Sequence, residues 1–152
     1  MTTMFATIGN RAILTALGAG MLLATSVAGH AQGGDEVNCD DAATQPELTF
    51  CAHREYEEAD AELNRIWHDM VAYAKNLDEE VAPVAKERGL PTTLEALRAA
   101  QRAWIAFRDA QCQFESYDAF GGTAQPMVGS LCLAQVTRDR VASFKLLLED
   151  QR

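Results

Sequence analysis

The sequence predicts an all-α fold: a small antiparallel bundle of three long helices, with a short fourth piece between the first two, tied by two disulfides. Three observations carry this expectation. Apolar residues recur at helical spacing in three separate stretches, two of those stretches open on a capping box, and four cysteines flank them. At 152 residues the chain has room for one domain and one modest core.

The first stretch opens at Thr44-Gln45-Pro46-Glu47, where the threonine and glutamate can cap each other's amides and proline suits the first turn. Ala52, Tyr56, Ala59, Leu63, Ile66, Met70, Tyr73 and Leu77 then follow at spacings of three and four. Asp78 to Arg88 reads as the short extra piece, interrupted near Pro83 and ended by Gly89. A second box, Thr92-Thr93-Leu94-Glu95, opens the next helix. Its seam is Leu94, Leu97, Gln101, Trp104, Arg108 and Cys112, so polar residues stand in an apolar line. Tyr117 to Gly129 reads as a loop because it holds Gly121, Gly122 and Pro126. The last helix is expected from about Val128 or Leu131 to Glu149, with Ala134, Thr137, Val141, Phe144 and Leu148 in phase.

Residues 1–31 have the form of a secretory signal peptide: Arg11, an apolar run from Ala12 to Ala24, and small residues up to Ala31. That run falls short of the roughly 20 residues that span a bilayer, so no permanent membrane anchor is expected. Cleavage after Ala31 is preferred to cleavage after Ala28. Neither point carries a cysteine for lipid attachment. The mature chain would comprise an extended segment, residues 32–43, and a helical domain, residues 44–150. It would hold 12 basic and 22 acidic side chains, a net charge of −10. Such a surface repels nucleic acid and anionic lipid, and it draws basic partners. The expected location is periplasmic or secreted.

An even number of cysteines in a small exported chain points to two disulfides. Neither Cys39 and Cys51 nor Cys112 and Cys132 have the close spacing that zinc sites favour. The pairing Cys39 with Cys51 and Cys112 with Cys132 is preferred, because each needs only one segment to fold back. The crossed pairing of Cys51 with Cys112 stays open.

Antiparallel helices also convert residue counts into heights. With Leu77 level with Thr92, Asp60 is level with Asp109. Asp60 and Asn64 then face Gln101, Arg108 and Asp109, and Arg140 of the last helix comes in from the side. An arginine inside a bundle is costly unless carboxylates and further acceptors surround it. Asp60 and Asp109 are therefore read as structural counter-ions in preference to an acid and base pair, since an adjacent guanidinium makes a carboxyl a poor acid. His53 with Glu57 reads as a solvated helix pair. Trp67 and Trp104 read as packing residues, while Phe114, Tyr117 and Phe120 cannot all be buried, and an exposed cluster there would be a contact surface. No metal site, no cofactor and no enzymatic activity are expected.

The combination of Cys39, Thr44-Gln45-x-Glu47, Cys51-Ala52, Tyr56, Ala59-Asp60 and Leu63-Asn64 with Ala100-Gln101-Arg102-Ala103-Trp104-Ile105 and Phe107-Arg108-Asp109-Ala110-x-Cys112 resembles the LprI-type lysozyme-inhibitor-like domain. Gly121-Gly122-Thr123, Cys132, Thr137 and Arg140 complete the likeness, which runs from Cys39 to Leu148. The resemblance implies a helical, disulfide-bonded domain of bacterial envelopes, whose mycobacterial namesake is a lipoprotein that inhibits c-type lysozyme. This chain is expected to depart from that member, with neither a lipid-attachment cysteine nor an extension past the domain.

The expected function is binding, with inhibition, of a basic cell-wall hydrolase of the c-type lysozyme class. The alternative is a non-enzymatic envelope interaction or immunity-type module with another protein partner. In either case Tyr117, Asp118, Phe120, Gly121, Gly122 and Thr123 form the candidate binding loop.

Overall fold

The computed structural model describes residues 37–150, so the expected signal peptide and the start of the extended segment lie outside the described residues. Three helices follow one another in an up, down, up arrangement: α1 (Gln45–Glu87), α2 (Thr93–Glu115) and α3 (Gln125–Glu149), with a 3₁₀ turn at Ser116–Ala119. No strand occurs among the described residues.

Each helix end has a local cause. At the start of α1 the Glu47 carboxylate accepts from the amides of Thr44 at 2.9 Å and Ala43 at 3.1 Å. At the start of α2 the box is reciprocal, with Thr92 Oγ1 accepting from Glu95 N–H and Glu95 Oε2 accepting from Thr92 N–H. Where α1 ends, Gly89 takes φ 65°. Gly89 N–H then reaches the Lys86 carbonyl, and Leu90 N–H reaches that of Ala85. That is a Schellman ending, and Pro91 prevents its continuation.

Two boundaries differ from the sequence expectation. The piece from Asp78 to Arg88 is not separate, because α1 runs unbroken through Pro83 to Glu87. Proline removes one amide donor only, and the Glu79 carbonyl it leaves unpaired lies on an exposed stretch close to the helix end. The expected loop is also shorter, since α3 starts at Gln125 and takes in Pro126 and Gly129. Proline in a first turn loses nothing, because amides there have no helical acceptor.

The height argument holds. Asp78 near the top of α1 accepts from the α2 amides of Thr93 at 2.6 Å and Leu94 at 3.0 Å, which sets Leu77 beside Thr92. Burial opposes ionisation of Asp78, yet these two amides, together with the Thr93 and Thr92 hydroxyls, outweigh it and hold the carboxyl below the usual aspartate range. A side chain of α1 thus caps the next helix.

α3 lies alongside α1 and runs parallel to it. Ion pairs from Arg138 to Glu55 and from Lys145 to Glu62 mark the same register twice. Small residues, Ala52 and Ala59 on α1 with Ala134 and Thr137 on α3, are almost fully buried and let the two backbones approach. Above them Leu63, Ile66, Met70, Val141 and Phe144 form the core. Trp67, Tyr73, Leu97, Trp104 and Leu148 pack against it. α2 has few small residues on its inward face and meets the pair through Trp104, Arg108 and Cys112.

The disulfides are Cys39–Cys51 and Cys112–Cys132, with Cα separations of 5.6 and 5.4 Å. The crossed pairing does not form.

Candidate functional site

Arg108 sits at the centre of the polar layer. Its seam position on α2 turns it inward, and its exposure is 7%. Nη1 donates to Asp60 Oδ1 of α1 at 3.3 Å, Nε donates to Asp109 Oδ1 at 2.9 Å, and Thr137 Oγ1 of α3 lies 3.5 Å from Nη1. The guanidinium also lies 5.4 Å from the Tyr56 ring centre and 5.2 Å from that of Trp104. Asn64 Nδ2 donates to the other oxygen of Asp60 at 3.0 Å. Burial alone would lower the Arg108 pKa, but the hydrogen bond to Asp109 and the surrounding negative charge raise it above the usual arginine range. Burial pushes the Tyr56 hydroxyl up as well.

The other two expected members arrive as a second pair. Arg140 Nε donates to Gln101 Oε1 at 3.3 Å, and the Arg140 guanidinium lies over Trp104 and Phe144. All six residues read from the sequence therefore meet in one zone of the bundle. The aromatic rings and Thr137 were missed as members of that zone. Their signal was present: Tyr56 stands one turn before Asp60 and Trp104 one turn before Arg108, the spacing that stacks side chains on one face.

Chemically, this arrangement suits a scaffold. Of the charged groups in this layer only Arg108 is buried, while Asp60 and Asp109 reach it from the rim with part of each carboxylate in water. Asp109 also borders a shallow cavity of about 410 Å³ beside Cys112, Ser116 and Gln125. His53 stays on the exposed face of α1, 3.4 Å from Glu57. Among the described residues no cluster of His, Cys, Asp or Glu is arranged to hold a metal ion.

The glycine loop is at the disulfide end. Cys112–Cys132 ties the end of α2 to the start of α3, so the connection between them is short and held on both sides. Tyr117 and Asp118 lie in the 3₁₀ turn, and Gly121 takes φ 74°, which a side chain would strain. Gly122 N–H bonds the Ala119 carbonyl at 2.9 Å, while Gln125 Oε1 accepts from Gly121 N–H at 3.1 Å. Held this way, the segment turns Tyr117 and Phe120 outward, 52% and 75% exposed, beside Phe114 at the end of α2, which is 70% exposed. Tyr117 and Phe120 meet edge to face with ring centres 5.4 Å apart. Thr123 and Pro126 continue this surface into an apolar groove of about 550 Å³ against Pro46, Thr49 and Phe50. Phe50 is a further exposed aromatic that the sequence did not single out.

No described helix is long and apolar enough to cross a membrane. Two disulfides in so small a domain belong to an oxidising compartment.

Comparison with known proteins agrees with this architecture. The chain is 42% identical over 114 residues to the uncharacterized protein R02472 of Rhizobium meliloti (strain 1021), covering 75% of this chain and 81% of that protein. It is 30% identical over 76 residues to the uncharacterized protein YecT of Escherichia coli (strain K12), covering 50% of this chain and 44% of that one. No solved structure matches. The family model described as lysozyme inhibitor LprI matches residues 39–144, which include both disulfides, the polar layer and the glycine loop. The chain belongs to the LprI lysozyme-inhibitor family.

Proposed function

We propose that the chain is exported, loses residues 1–31, and acts outside the cytoplasm as a binder and inhibitor of a basic cell-wall hydrolase of the c-type lysozyme class. The observation that carries this reading is the set of outward rings Phe114, at the end of α2, and Tyr117 and Phe120, in the turn and loop that follow, all within the segment closed by Cys112–Cys132. Large rings held rigid at a surface lose little entropy on docking and supply most of the contact energy of typical interfaces. The family to which the chain belongs supports a lysozyme as the target.

Charge supplies the second half. Without residues 1–31 the chain carries −10, 12 basic against 22 acidic side chains, and a cationic hydrolase would be steered to it through complementary fields. Steering raises the encounter rate, and the aromatic loop then sets how long the complex lasts. No chemical step by this protein enters the proposal, and the polar layer acts as the frame that holds the three helices in register. Binding of hen-type lysozyme to the purified protein, measured at low and at high salt, tests it. The association rate is expected to fall with salt, and absence of binding at micromolar concentrations and low salt rejects it.

An envelope interaction module for a different protein would use the same exposed rings. A stoichiometric non-lysozyme partner recovered from periplasmic extract, together with no lysozyme binding, would favour that second reading.

A further inference from the structure

Trp104 lies between two guanidinium groups whose surroundings differ. Arg108, 5.2 Å from the ring centre, is neutralised by Asp60 and Asp109. Arg140 is 5.6 Å from the same ring and 4.3 Å from the buried Phe144 ring. Its Nε–H is taken by the neutral Gln101 amide oxygen, and among the described residues no carboxylate lies within ion-pair distance of it. A half-buried cation with ring faces and an amide but no counter-ion is an incomplete arrangement. Burial accordingly pulls Arg140 below the usual arginine range, the opposite direction from Arg108.

Arg140 lines an open groove of about 530 Å³ between α2 and α3, together with Trp104, Phe107, Gln111, Val136 and Ser143. The groove offers a charged fork, two aromatic rings, an aliphatic wall and two neutral polar groups. Phe107 is largely exposed there. Two acids also edge it. Asp139 is engaged by Gln135 and Glu115 by Gln111. With Cys112 beside Cys132, Arg140 is level with Trp104, and Glu115 lies about 16 Å further along α2.

We propose that this groove is a carboxylate-binding site that takes a peptide carboxylate on Arg140, with the neighbouring apolar side chain of the peptide against Trp104 and Phe107. A guanidinium fork matches the two oxygens of a carboxylate. The flanking acids and the net charge of −9 disfavour a doubly charged phosphate far more than a single carboxylate. Ser143 and the carboxamide oxygen of Gln111, whose nitrogen donates to Glu115, would accept from the peptide's own amides. Arg140 lies about 22 Å along α3 from the end that carries the glycine loop, and its ligation of a carboxylate does not depend on the lysozyme reading.

Nuclear magnetic resonance of the Trp104 indole N–H, in the full folded domain with both disulfides, tests the assignment. N-acetyl-leucine carries a chain-end carboxylate, N-acetyl-glutamate α-amide carries a side-chain one, and N-acetyl-leucine amide carries none. At least one of the acids is expected to shift the resonance with millimolar affinity, and the amide to bind about tenfold more weakly or worse. A response to the first acid alone assigns a chain terminus, to the second alone an acidic side chain, and to both a general carboxylate site. Arg140→Gln is expected to lose the response in a domain that still unfolds cooperatively, with both disulfides formed. Phe107→Ala, at an exposed ring outside the core, is expected to weaken it. Equal binding of acid and amide, a response that survives in Arg140→Gln, or no shift up to about 50 mM of either acid overturns the proposal.

Discussion

Arg108 of α2 donates to Asp60 of α1 at 3.3 Å, and the same guanidinium reaches Thr137 of α3 at 3.5 Å. One side chain thereby touches all three helices at a single level, and it also binds the Asp109 carboxylate, so that one cation holds two acids. Deleting such a group leaves cavity, unpaired acid and lost stacking together. Arg108→Ala is expected to lower unfolding stability by about 3 kcal/mol. Arg108→Met, which keeps the volume, should lower it by less, because both acids can turn to water. Asp109→Asn, at a half-exposed position, should lose about 1 kcal/mol. Urea titration of the three variants checks the order.

Acid should destabilise the fold through particular carboxylates. Glu47 is held below its usual range by the Thr44 and Ala43 amides, Glu62 by Lys145, and Asp78 by the Leu94 and Thr93 amides. When the folded pKa is depressed, the unfolded chain binds more protons as pH falls, so the stabilisation is present above the unfolded pKa and lost below it. The melting temperature is therefore expected to be flat near neutrality and to fall below about pH 4.5. Asp78→Asn should melt lower than wild type at pH 7 and show a shallower fall in acid. An equal fall for both would mean that the α2 cap does not contribute.

The two disulfides should differ in effect despite similar loop sizes. Cys112–Cys132 joins two helix ends that are both fixed by packing, and replacing the pair by serine should cost about 3 kcal/mol. Amide exchange across Ser116 to Ala124 should quicken with it. Cys39–Cys51 ties a largely exposed segment to α1, so the crosslink removes freedom from that segment in the folded state as well as in the unfolded one, and the difference between them is small. Its replacement is expected to cost less than about 1 kcal/mol. Thermal melts of the two double variants compare them.

The core makes a plainer case. Phe144 is 1% exposed against Trp67, Val141 and Met70. Phe144→Ala should lose about 3 to 5 kcal/mol, enough to leave the bundle marginal.

Much of this architecture was legible in the sequence, and the reasons are specific. Ala134, Thr137, Val141, Phe144 and Leu148 lie on one stripe of α3 because nothing but a helix brings them together, and each is buried or packed on the core. The meeting of Asp60, Arg108 and Asp109 followed from the short turn at Gly89, which leaves the register of α1 and α2 little room to slip. What escaped were contacts that local pattern does not encode. Asp78 caps α2 only because the chain has already turned back, so no motif spans it and the amides it receives. Gly129 and Pro126 punctuate loops and also sit in helix starts, which hid the true beginning of α3. Residue types alone placed two arginines and two aspartates in one zone without telling which base both acids would choose. Arg108 took them, and Arg140 was left to the rings.

A lysozyme lysis assay with matched variants tests the central claim, that the polar layer frames the molecule and the outer aromatics do its binding. Wild type should slow lysis of cell walls at micromolar concentration in low salt, and Phe120→Ala should lose about tenfold in potency at an unchanged melting temperature. Asp109→Asn should keep the inhibition while melting lower. Inhibition unaltered by Phe120→Ala but abolished by Asp109→Asn at full stability, or no inhibition by wild type, would contradict it.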